Sequence, residues 1–422
     1  MAHWFHRNPI KATQPMKFDG LKKCAKGSKC DELITQLKVT RQRLLELFNN
    51  HANSVEDLTV AFTEYIGLIR GLVDAPNGGD SKLRTQTLFK WTNTLGGRVP
   101  SIHSDAMFEL IAIVTNMAIW HSKHAMHLAS SDEISMEVAK EVHRSLKISA
   151  GMFLHIKENL LSRLPASPEK GVDTDSRVID AYAQQSQAEA QEVTVARALE
   201  LNHKASIIYS LSLETSNLFV LAADALKTLD QTQFGKWTAY LQLKGSIYEA
   251  YAYCFYGKEL LEQEKCGASV RVLQHSKFLC ECATKICGKY AKTKGAGTIA
   301  KPEYHPFFQK LAPMIKLHLD KSERENGFIY YQTVPSELPE IPKQQVFGLA
   351  TPEDFTLPPH HPLWTEEVYA AFNVPEGSGQ GEGPTYESKA AASQEEIAPV
   401  PEPDIAPAKH PQPKTESGCI LQ

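Results

Sequence analysis

The residues with the most definite chemistry are the last four, Cys419-Ile420-Leu421-Gln422. A thiol followed by two aliphatic residues and a terminal Gln is the pattern that protein farnesyltransferase reads, so the expected modification is a farnesyl thioether on Cys419. The box works only at an unblocked C-terminus on a segment loose enough to enter a prenyltransferase. The expected site of action is then cytoplasmic, peripheral on the cytosolic face of membranes. No cofactor beyond this covalent lipid is implied.

Other reactive residues are present without the spacing that would make them a site. His121, His124 and His127 recur at i, i+3, i+6 on a helical pattern, but no carboxylate or cysteine nearby completes a metal set. Cys280 and Cys282 would point to different faces of a helix, so with Cys287 they do not form a zinc site. The remaining cysteines show no disulfide framework, and a cytosolic location keeps thiols reduced. Glycines at 377, 379, 381 and 383 lack the preceding strand and following helix of a nucleotide loop. HExxH, GxxxxGK[ST] and GxSxG patterns do not occur, and no enzyme activity is expected.

The elements that would position a binding face are long helices. Apolar residues recur with helical period over Asp31 to Asn50 and over Ser135 to Leu164, the latter stopped by Pro165. Arg177 to Leu201 is richer in Ala and Gln, which suits a helix held closely between two neighbours. From Ile247 to Lys289, small residues Ala250, Ala252 and Gly257, a turn at Lys265-Cys266-Gly267, and Val270, Leu273 and Leu279 resemble one tetratricopeptide-type unit. Such a unit cannot bury its own face alone. It must stack on the other helices, giving a curved solenoid with a concave surface. After Asn326 the chain reads as extended, and prolines from 335 to 362 predict a strap laid along the helices, anchored by Phe347, Leu349, Phe355 and Trp364. From 371 the chain is dominated by Gly, Pro, Ser, Glu and Ala, and acids outnumber lysines eight to three from Phe372 on. A disordered tether over 371–418 is expected, because so little apolar area cannot offset the entropy of ordering it.

Composition narrows the partners. The chain has 422 residues, 42% of them hydrophobic, and a net charge of −4, which gives no basic excess for nucleic acid. The start, Met1-Ala2-His3-Trp4-Phe5-His6, has neither a signal peptide's apolar run nor a myristoylation glycine. The most apolar stretch read from the sequence, Phe108 to Trp120, is interrupted by Glu109 and Asn116 and is shorter than the ~20 residues that span a bilayer.

Four strings in order carry a family resemblance: Phe89 to Trp91, Leu146 to Glu158, Gln187 to Val193, and Asn326 to Tyr330 with Val334-Pro335. Residues 1–370 resemble the Bro domain shared by Alix, the His-domain tyrosine phosphatase and rhophilin. Unlike Alix, the chain has no coiled V-shaped region and no long Pro-rich tail. The resemblance implies a mainly α, boomerang-shaped helical solenoid with a tetratricopeptide-like core, a small N-terminal β-sheet and an extended C-terminal strap. It also implies a non-catalytic adaptor whose concave face binds the C-terminal helix of ESCRT-III subunits of the charged multivesicular body protein 4 type. Carried over from the Gln-Glu-Val string, the groove positions are Thr194, Ile207 and Leu211, with Lys140 nearby and Phe347 or Leu349 at an apolar edge. Thr194 stands where Alix has a large aromatic. Ile207 and Leu211, at i, i+4, would present an apolar ridge to a docking helix. The alternative is a prenylated scaffold for another protein, such as a Rho-family GTPase or a cytoskeletal linker.

Overall fold

The computed structural model describes residues 5–130, 134–297, 300–304, 306–342, 347–374 and 396–403. Within them the architecture is a row of long helices in which neighbours in sequence are neighbours in space. Helix α1 (Asp19–Cys24) leads into α2 (Ser28–Phe48), which packs on α3 (Val55–Val73). A two-stranded antiparallel sheet follows, β1 (Phe89–Thr92) and β2 (Pro100–His103), paired Phe89 with His103 and Trp91 with Ser101. The solenoid then runs through α4 (Ala106–Ala129), α5 (Met136–His155), α6 (Ser176–Glu200), α7 (Ala205–Leu226), α8 (Gln231–Glu262), α9 (Cys266–Lys292) and α10 (Pro306–Glu325), each packed on the next from α4 to α9, with α10 against α8 and α9. A last short helix, α11 (Glu366–Ala371), returns to α2. The fold is the mainly α, curved solenoid with a small sheet and a strap that the sequence implies.

Local chemistry sets the helix ends. Ser54, Asp105, Ser135, Asp175 and Asp230 each accept a backbone N–H of the first turn, satisfying a donor the helix cannot. Helices α6 and α8 stop the same way: Asn202 and Glu264 take left-handed φ of 55° and 60°. The next N–H then reaches back to Ala198 O and Leu260 O at 3.0 and 2.9 Å. Close packing in the tetratricopeptide-like pair comes from small residues. A Cβ on Gly257 would lie 2.5 Å from Leu273 Cγ, and the Ser269 hydroxyl donates to Gly257 O at 2.7 Å. The helical path runs one turn past the expected stop, because Asn326–Tyr330 continues α10 as a wide π turn before Tyr331 breaks it at φ 51°.

The strap crosses the front of the helices by backbone hydrogen bonds. Glu353 N–H donates to Lys147 O (3.1 Å), and His361 N–H to Gly67 O (2.9 Å). Trp364 Nε1 donates to Leu68 O (2.8 Å), and Phe355 packs edge-on against His155. Phe355 and Trp364 are therefore anchors as expected; Phe347 and Leu349 are not, being 43% and 48% exposed. Gly151 lets the strap lie close, since a Cβ there would sit 1.8 Å from Glu353 O. Gly151→Val is expected to lift the strap at a cost of about 1–3 kcal/mol. The readout is a lower melting temperature with faster proteolysis between 347 and 362.

Two features escaped the sequence. Among the described residues, helix α7, not Phe108 to Trp120, is the helix long and apolar enough to cross a bilayer; half of its apolar window is buried, and it packs between α6 and α8. The second feature is a set of buried charges. Glu109, in the apolar run of α4, accepts from Arg41 Nε (2.8 Å), Tyr65 OH (2.8 Å) and Trp91 Nε1 (2.6 Å). Arg7 makes a two-pronged pair with Glu189, at 3.0 and 2.6 Å, and Lys244 pairs with Glu192 at the solenoid's centre. The extended N-terminal segment thus threads into the core: Thr13 bridges to Trp91, and Thr92 N–H donates to Ala12 O at 2.9 Å.

The expected tether over 371–418 needs correction at two places inside the described residues. Phe372 is buried and Asn373 N–H donates to Cys24 O at 2.8 Å, so the folded domain continues past 371. Residues 396–403 also lie against the domain, with Ile397 4% exposed.

Candidate functional site

A face built from α5, α6 and the strap brings three of the expected groove residues together. Lys140 is exposed on α5, Thr194 is half-buried on α6, and Leu349 projects from the strap; all three line one cavity of about 280 Å³. Ser135 caps α5 and sets its first turns, so Met136, Ala139, Lys140 and His143 face the cavity together at helical spacing. On α6, Val193, Thr194 and Arg197 do the same from the opposite wall. The apolar part of the lining comes from Ile134, Met136, Ala139, Val193 and Leu349, and the charged part from Lys140, Arg197 and Glu200.

Two polar atoms in these walls lack a partner. His143 Nε2 and Arg197 Nε are buried and accept or donate no hydrogen bond among the described residues. A buried polar atom left unpaired is destabilising, and such atoms in a cavity wall are where a ligand's acceptor or donor gains most. Burial, with Lys147 nearby, holds the His143 imidazole below its ordinary value against the opposing pull of the Leu349 backbone. Arg197 Nη1 donates to Glu200 Oε2 at 3.0 Å. The arrangement suits an amphipathic element with an apolar side chain for the floor and acidic or carbonyl oxygens for the rim.

The other expected residues fall elsewhere. Ile207 is half-buried on α7 and packs against the main core, outside this cavity. Leu211 is 2% exposed within that core, so of the expected ridge Ile207 alone keeps surface for a docking helix. The reason is depth: one turn along, α7 is already enclosed by α6 and α8. Phe347 is exposed on the strap two residues from Leu349 without lining the cavity. Cys419 and the rest of the prenylation box lie outside the described residues. Sequence reasoning missed His143, Val193 and Arg197, although each was reachable. His143 and Arg197 stand three residues after Lys140 and Thr194, and Val193 ends the Gln-Glu-Val string.

The histidines of α4 do structural work. His124 Nδ1 meets His51 O at 2.7 Å, and its ring stacks on Trp120 at 4.8 Å. His121 is buried, which pushes its pKa down to about 3. Among the described residues, no three His, Cys, Asp or Glu side chains converge as metal ligands.

Comparison with known proteins places this geometry. The model of the BRO1-like domain matches residues 22–370. The BRO1 domain-containing protein BROX of Danio rerio is 43% identical over 424 residues, covering all of both chains. The human protein of that name is 44% identical over 378 residues, 89% of this chain and 91% of its own, and the Caenorhabditis elegans homologue is 37% identical over the full length of both. Among solved structures, the ALIX BRO1 CHMP4C complex superposes with a TM-score of 0.64 at 20% identity, covering 86% of this chain and 98% of that one. A structure described as the basis for endosomal targeting by the Bro1 domain gives 0.63 at 17% identity, covering 88% and 98%. With the matched model spanning most of its length and a full-length relative at 43% identity, the chain belongs to the BRO1-like domain family.

Proposed function

We propose that the protein is a non-catalytic, membrane-tethered adaptor whose α5–α6–strap face receives the C-terminal helix of an ESCRT-III subunit of the charged multivesicular body protein 4 type. The observation that carries this reading is the convergence of Lys140, Thr194 and Leu349 on one apolar-floored cavity with unpartnered His143 and Arg197 atoms in its wall. A related fold has been solved as the ALIX BRO1 CHMP4C complex, which favours a ligand of this class. An amphipathic helix seats apolar anchors in such a groove and turns its charges to the rim.

Membrane recruitment adds a farnesyl on Cys419, installed by protein farnesyltransferase. One lipid chain alone binds membranes marginally and reversibly, so a second attachment is required. ESCRT-III polymer on the same membrane provides it: tethering turns a weak groove interaction into an intramolecular one.

The test is an anisotropy titration of a labelled C-terminal peptide from such a subunit against the full chain. Arg197→Glu and Leu349→Asp are each expected to weaken binding at least about tenfold, or roughly 1.4 kcal/mol. Both side chains are at least partly exposed, so the melting temperature should hold. Unchanged affinity in both variants would remove this face from the account.

A further inference from the structure

Residues 396–403 have few large apolar side chains, yet they make a specific set of contacts. Ile397 is buried and its N–H donates to Arg98 O at 3.0 Å. Ala398 to Pro401 form one wall of a cavity of about 290 Å³; the facing walls are the extended Ile10 to Pro15, the end of α2 around Leu45 and Phe48, and Asn116 of α4. Val400 packs against the main core. Glu402 finishes the segment: its Oε1 accepts the Ile10 N–H at 2.8 Å, and its Oε2 meets Lys123 Nζ.

Lys123 makes this contact more than incidental. It sits in α4 at 1% exposure, and Glu402 is the acid that meets its ammonium. Besides Glu402, the charge that acts on Lys123 is that of Arg7. Arg7 is nearby and committed to Glu189, while burial and neighbouring cations drive His6 and His51 down to about 3. A buried ammonium without a carboxylate is strongly destabilising, and here the carboxylate comes from a residue 279 positions along the chain. Prolines 399, 401 and 403 favour an extended backbone and reduce the freedom lost on docking.

We propose that the groove between Ile10–Pro15, α2 and α4 is a peptide-binding site for an apolar–proline–acidic segment, with Lys123 as its buried cation, and that residues 396–403 occupy it in cis. The clasp stands independently of lipidation. Its consequence for tethering rests on the proposed function: chain released at Pro403 leaves roughly 16 residues to Cys419, a reach of at most about 55 Å, where release at Val374 would leave about 45 residues and about 150 Å.

The experiment uses the full-length, unprenylated chain. Hydrogen exchange of the Ile397 amide is expected to be at least about tenfold slower than in a free peptide of residues 394–405. Glu402→Ala should bring it to the free-peptide rate and lower the melting temperature, since Lys123 is left unpaired. The vacated groove of that variant should bind the labelled 394–405 peptide in trans, while the wild-type chain, already occupied, should not. Adding Lys123→Met to Glu402→Ala should restore thermal stability and abolish peptide capture. Free-peptide exchange at Ile397 in the wild-type chain overturns the proposal, and that measurement needs no variant to fold. Equal peptide capture with and without Lys123 overturns the assignment of the cation.

Discussion

Cys419→Ser is expected to move the protein from the membrane pellet to the soluble fraction, with loss of most of the bound population. The physical reason is that nothing else in the tail would replace the proposed lipid: the acidic excess from Phe372 onward disfavours anionic headgroups, and there is no second cysteine near Cys419. Fractionation of cells that express no added ESCRT-III subunit is the check, because a polymer on the membrane would retain some protein through the groove. Persistent sedimentation with membranes under those conditions would show that the body or the tail binds lipid by itself. The clasp refines the expectation for the tail. A Gly/Ser replacement confined to 376–395 should be neutral for recruitment, whereas one that removes Ile397 and Glu402 lengthens the leash and leaves Lys123 unpaired.

Lys244→Ala carries the largest expected effect on stability. The ammonium pairs with Glu192 between α6 and α8 and lies over the rings of Phe219 (5.3 Å), Phe5 (5.6 Å), Tyr248 (5.7 Å) and Tyr240 (5.8 Å). Truncating it strands a buried carboxylate, at a cost of about 3–5 kcal/mol. Burial already raises the Glu192 pKa above its ordinary value even with the lysine present, and removing the lysine raises it further. A carboxyl whose folded pKa exceeds its unfolded one binds its proton first in the folded state, so stability falls as pH rises between the two values. The deficit of Lys244→Ala should therefore shrink as pH is lowered toward the ordinary carboxylate range near 4. Pairing it with Glu192→Leu should recover much of the loss, as removing both charges avoids the stranded one. Urea titrations of the two variants at pH 7 and pH 5 give the comparison.

What was legible in the sequence was the part written in periodicity and caps. The helices over 31–50, 135–164 and 177–201, the pair around Lys265, and the strap anchored by Trp364 all follow from apolar spacing, Pro and Gly, and the structure places them within a few residues of those limits. The buried ion pairs were not legible. Arg7 and Glu189, or Lys123 and Glu402, are far apart in sequence, and a charged residue in a helical pattern reads as solvent-facing until tertiary packing shows otherwise. Composition misled at the tail for a related reason. Two apolar side chains, one carboxylate and three prolines are too few to change a window average, yet they suffice when the domain already holds a buried lysine to meet them. Of the expected ridge Leu211 is covered and Ile207 is not fully, because i, i+4 spacing identifies a helix face without telling how deeply another helix covers it. Lys140, Thr194 and Leu349 came together because the resemblance supplied positions on three separate elements, which spacing alone cannot relate.

Where the ligand helix lies on the surface is the central claim, and site-specific photocrosslinking tests it directly. A benzophenone side chain at Thr194 or at Leu349, in the full chain, is mixed with the C-terminal peptide of a charged multivesicular body protein 4 type subunit and illuminated. A third probe at Leu221, exposed farther along α7, serves as the comparison. The account predicts covalent capture from positions 194 and 349, competed by unlabelled peptide and lost in Arg197→Glu, with none from position 221. Capture from 221 in place of 194 and 349 would contradict it.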